Sequence, residues 1–75
     1  MAAPSPRAAQ TVLAALRPEP ASTSELYDRV GYARLVQCGL VPYAAFRQVL
    51  AGLAADGLAH AQPDEDGNTL WRRAT

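Results

Sequence analysis

The chain has 75 residues, 49% of them hydrophobic, and its seven basic residues, all arginine, are balanced by seven acids. That length holds one domain with one small core, and so short a chain stays folded only through good packing or a partner. Zero net charge excludes an argument for nucleic acid from charge excess alone; any such argument rests on where the arginines sit.

Residues 1–5 are expected to be a frayed lead to a single domain over residues 6–75. Ser5-Pro6 has the form of an N-cap followed by proline at the first helical position. Ala9, Val12, Leu13 and Leu16 then recur at helical spacing, and "RPEP" stops the helix at about residue 17, because proline disfavours helix for the residue before it. Ser22 with Glu25 three residues later is a capping box that starts a second helix through Leu26 and Val30. Gly31 leaves two courses open. The helix either ends at residue 30, with "YARLVQC" a separate turn, or runs on to Cys38 and takes Gly39 as a left-handed terminator. The continuous course is preferred, since an interior glycine costs only about 1 kcal/mol against alanine. Leu35 and Val36 would then keep an apolar edge on the added turns.

The third helix is expected over about residues 42–56, with Pro42 in its first turn and Gly57 as its cap. Phe46, Val49, Leu50 and Leu53 form the burying stripe, and Tyr43, Ala44, Arg47, Gln48 and Ala51 lie on the opposite face. Beyond it, "LAHAQ" and "TLWRRA" flank the turn "PDEDGN" as a hairpin. Three helices and a terminal hairpin make an α+β domain. The single Cys38 gives neither a disulfide framework nor a thiolate metal cluster and fits a reducing compartment. "MAAPSPRAAQ" lacks the apolar core of a secretory signal, and no apolar run approaches the length of a bilayer span. The expectation is a cytoplasmic protein without a membrane partner.

The succession "TVLAAL", "STSELYDRV", "PYAAFRQVLAGLAADGL" and the hairpin "AHAQPDEDGNTLWRRAT" resembles the winged helix-turn-helix superfamily, in its bacterial transcription-factor branch, over roughly residues 8–75. The resemblance implies a three-helix winged helix-turn-helix with a C-terminal β-hairpin wing. It also implies that the third helix reads double-stranded DNA in the major groove while the hairpin touches the backbone or minor groove nearby. The matching positions are Pro42, Tyr43, Ala44, Arg47 and Gln48 on the helix, with Arg72 and Arg73 on the wing.

Each candidate has a plainer alternative. Arg47 can fork to guanine and Gln48 to adenine, each good pair giving about 1–3 kcal/mol of discrimination; otherwise both are solvated residues on a surface helix. Tyr43 either meets a phosphate or sugar or covers the junction of the second and third helices. Arg72 and Arg73 are adjacent on a strand and point to opposite faces, Arg73 with Trp71 and Arg72 with Leu70. Trp71 is expected to close the edge of the core rather than stack on a base. The acidic turn Asp64, Glu65, Asp66 does not form a calcium loop: counted from Asp64, the sixth place is Thr69 instead of glycine and the twelfth is Thr75. His60 has no catalytic partner at a recognisable spacing, so no enzyme, cofactor or metal is expected.

Two functions follow. One is a sequence-specific DNA-binding regulator acting as a homodimer, whose basic contacts per copy are Arg7, Arg34, Arg47 and one wing arginine. The other is a winged-helix module for protein contact, suggested by zero net charge and the acidic wing, with Leu40, Val41, Tyr43 and Trp71 in an apolar patch.

Overall fold

The computed structural model describes residues 6–74; the expected Ser5 cap and the lead over residues 1–5 lie outside the described residues. Helix α1 (Pro6–Ala15) turns Ala8, Val12 and Ala15 into the core, and the following Leu16 is buried with them. It stops two residues short of the expected end. Arg29 reaches across from the next helix, where its Nη1 donates to the Ala15 carbonyl at 2.7 Å. A cation there satisfies an orphan acceptor and complements the negative end of the helix dipole.

A two-residue strand, β1 (Ala21–Ser22), was not readable from the sequence and precedes α2 (Thr23–Val30) directly. The capping box is present. The Glu25 amide donates to Ser22 Oγ at 3.1 Å and the Ser22 amide to Glu25 Oε1 at 3.3 Å. Ser22→Ala is expected to lower folding stability by about 1 kcal/mol. Urea unfolding should show a lower midpoint at constant slope; an unchanged midpoint would mean that the cap contributes nothing.

The second helix does not run on to Cys38. Gly31 takes φ 89 and ψ 148, a conformation that closes to side-chain-bearing residues and ends the helical ladder. Its amide still donates to the Tyr27 carbonyl at 3.3 Å, and its carbonyl accepts from Leu35 at 3.1 Å, opening a new helix, α3 (Tyr32–Cys38). The change of direction turns only Leu35 into the core and leaves Val36 52% exposed, so the expected two-residue apolar edge is not formed. Gly39, at φ 69, ends α3 in the left-handed conformation as expected. The Leu40 amide donates to the Leu35 carbonyl at 2.8 Å and the Gly39 amide to Val36 at 3.2 Å, the paired bonds of a Schellman motif.

Helix α4 (Tyr43–Ala55) follows, with Pro42 as its N-cap residue and Phe46, Val49, Leu50 and Leu53 buried. It ends in a second Schellman motif, Leu58 donating to Leu53 at 2.9 Å and Gly57 to Ala54 at 3.1 Å. Strands β2 (Ala59–Pro63) and β3 (Thr69–Arg73) pair antiparallel, with Ala59 opposite Arg73 and Pro63 opposite Thr69. On its other side β3 pairs with β1, Ala21 opposite Trp71 and Ser22 opposite Leu70. The described residues thus form four helices and a three-stranded antiparallel sheet of order β1-β3-β2, an α+β domain rather than three helices and a bare hairpin.

The helices pack on the sheet face that carries Ala21, Ala59 and Trp71, and Val12, Leu26, Leu35, Phe46 and Leu50 fill the centre. No polar or charged side chain among the described residues is buried in this core. Among the described residues no single helix is long and apolar enough to cross a membrane.

Candidate nucleic-acid interface

Burial of the Phe46–Leu50–Leu53 stripe forces the other side of α4 outward. Tyr43, Ala44, Arg47, Gln48 and Ala51 are all exposed, as the helical period requires. Arg47 sits where two shallow clefts meet. One, of about 320 Å³, is lined by Ser22, Thr23 and Ser24 of the α2 start, by Tyr43, and by Gly67, Asn68 and Thr69 of the hairpin. The other, of about 500 Å³, lies between the outward face of α4 and the hairpin residues Ala61, Thr69 and Trp71. The Arg47 side chain makes no hydrogen bond or ion pair with any described residue, so neither Asp56 nor the acidic turn holds its guanidinium.

The start of α4 is held by an aromatic cluster. Tyr27 lies edge-on to Phe46, with ring centroids 5.3 Å apart and planes at 84°, and its other neighbour is Tyr43 at 5.4 Å. The Tyr27 hydroxyl donates to the Val41 carbonyl, which ties the link before α4 to α2. Tyr43 covers the α2–α4 junction: its hydroxyl lies 3.1 Å from Ser24 Oγ, either group donating, while the residue stays 43% exposed. The side chain one turn further on is Arg47, so this cluster sets the angle at which it leaves the surface. Ser24 drew no attention in the sequence. Its partner is 19 residues away, and only its place two residues after a capping serine marked it as a first-turn hydroxyl.

Trp71 closes the edge of the core, 7% exposed, and its indole N–H donates to Thr23 Oγ1 at 2.8 Å. Arg72 is half-buried on the outer face of the sheet, opposite His60. Arg73 is exposed, on the Trp71 side by strand alternation, and its backbone amide donates to the Arg17 carbonyl at 2.8 Å. The hairpin residues that line clefts with Arg47 are Ala61, Gly67, Asn68, Thr69 and Trp71. Arg73 is two residues beyond Trp71, roughly 7 Å along the strand. Arg72 and Arg73, paired with His60 and Ala59, occupy the base of the hairpin instead of its tip.

At the tip, Asp64 has a structural task. Its Oδ1 accepts from the Asp66 amide at 2.7 Å and from the Asn68 amide at 3.0 Å. Glu65 and Asp66 are exposed, and Gly67 completes the turn at φ 83. Arg34 lies elsewhere. It is exposed on α3 and lines a groove with Arg7, Gln10, Thr11, Ala14, Gln37 and Cys38 that shares no residue with the clefts around Arg47. The structure therefore gathers Tyr43, Ala44, Arg47 and Gln48 beside the hairpin, with the exposed Pro42 just before them, and sets Arg34 apart.

The apolar patch expected from Leu40, Val41, Tyr43 and Trp71 is not formed. Leu40 is 3% exposed and Trp71 lies in the core, because the Schellman turn after α3 points Leu40 inward. Among the described residues the exposed large apolar ones are Tyr32, Val36, Tyr43 and Leu58. Cys38 is half-buried, with its thiol 3.5 Å from Thr11 Oγ1. No family model matches this chain, and a search of curated proteins finds no match either.

Proposed function

We propose that this domain binds double-stranded DNA as a winged helix, with α4 in the major groove. The observation that carries the reading is the outward Arg47–Gln48 pair, exposed on the early turns of a helix whose opposite face is buried. The order of elements supports it. Helices α1, α2 and α4 and the β2–β3 hairpin come in the order of the winged-helix resemblance, with strand β1 and helix α3 added between them. On this reading α3 is an additional short helix in the link before the reader. Arg47 and Gln48 contact base edges, Pro42, Tyr43 and Ala44 approach the backbone, and Arg72 and Arg73 are phosphate contacts from the wing. The role is regulatory binding, with no catalysis assigned and no cofactor required.

Selection of bound duplexes from a random pool at two salt concentrations should enrich one motif. Arg47→Ala should weaken binding to that motif by about 1–3 kcal/mol, roughly 5- to 150-fold, and relax preference at one base position. If the variant binds every duplex as well as the parent does, α4 is not the reader.

One observation favours a second reading as a protein-contact module: Gly67 and Asn68, which directly follow the acids Asp64, Glu65 and Asp66 in the hairpin turn, border the Arg47 cleft. A partner complex held by apolar burial would survive raised salt, whereas phosphate contacts are screened.

A further inference from the structure

The groove between α1 and α3 and the acidic hairpin tip are complementary in charge. The groove carries the guanidinium groups of Arg7 and Arg34, both exposed, and neither has a hydrogen-bond or ion-pair partner among the described residues. Gln10, Thr11 and Gln37 add neutral donors along the same walls. The groove is open and has a volume of about 320 Å³. The tip offers the carboxylates of Glu65 and Asp66, exposed and likewise without a partner among the described residues, on a turn that Asp64 stiffens through the Asp66 and Asn68 amides. A turn already ordered loses little entropy on docking. Groove and tip share no residue, so one copy can offer its tip and accept another's at the same time.

We infer that the α1–α3 groove receives the Glu65–Asp66 tip of a second copy of this chain, giving head-to-tail self-association. Carboxylate on guanidinium is a charge-assisted pairing that can be bidentate. A contact between two different patches is heterologous, so it extends into a line or closes into a ring instead of stopping at a two-fold dimer. The inference does not depend on α4 reading DNA.

The test uses the full chain without DNA. At low salt, sedimentation should show weight-average mass rising with concentration to about twice that of one chain or more, and falling back as salt is added. Two variants are then compared, one carrying Glu65→Arg with Asp66→Arg, the other Arg7→Glu with Arg34→Glu. Each alone presents like charge at tip and groove and should stay monomeric. Their equimolar mixture restores both complementary pairings and should associate again. Circular dichroism checks that both variants are folded. A parent that stays monomeric at low salt, or a mixture of folded variants that does not associate, overturns the inference.

Discussion

Phe46→Ala is expected to remove most of the stability of the domain. The side chain is wholly buried at 0% exposure and joins α4 to α2 through its edge-on contact with Tyr27. Truncating a buried phenylalanine costs about 3–5 kcal/mol through lost transfer energy and the cavity left behind. A domain of this size holds roughly 4–11 kcal/mol in total, at about 0.05–0.15 kcal/mol per residue. The loss is therefore a large fraction of the whole. Urea unfolding followed by far-UV circular dichroism should show a midpoint reduced by about a quarter or more, or no folded baseline at all. Phe46→Leu should fall between parent and alanine, because it retains much of the volume. A loss below about 1 kcal/mol for the alanine variant would mean that the site collapses or that Phe46 is not central.

The second large effect is at Trp71. Its ring covers the open side of the core, its strand is hydrogen-bonded on both sides, and its N–H reaches Thr23 in the first turn of α2. Trp71→Ala should cost about 3–5 kcal/mol. Trp71→Phe separates the two contributions: the aromatic filling is largely kept and the bond to Thr23 is lost, for a smaller cost of about 1–2 kcal/mol plus any cavity. The chain has one tryptophan, so neither variant can be followed by its fluorescence, and circular dichroism serves for both. Equal losses for phenylalanine and alanine would assign the whole effect to the hydrogen bond; no loss for either would remove Trp71 from the core.

What the sequence disclosed was local. The Ser22–Glu25 box, the Gly39 terminator and the burying stripe of α4 each depend on residues within about two helical turns, where spacing carries the information. What it hid depends on partners far along the chain. Strand β1 is two residues long and exists because Ala21 and Ser22 meet Trp71 and Leu70. Two residues have no period to detect. The break at Gly31 turned on which backbone conformation the glycine takes, and a penalty for interior glycine says nothing about that. The same holds for the site. The outward face of α4 could be read from its period, but the placing of Arg34 in another groove, and of the hairpin turn beside Arg47, comes from packing between elements.

Ser22 stands in two structures at once, as the last residue of β1 and as the cap of α2. Its backbone faces Leu70 while its hydroxyl holds the Glu25 amide. Prising β3 from β1 therefore loosens the first coil of α2, and fraying that coil releases the sheet margin. Ser22 and the neighbouring Trp71–Thr23 bond together yoke the sheet to α2, so a pull on the hairpin is felt by the helix behind it.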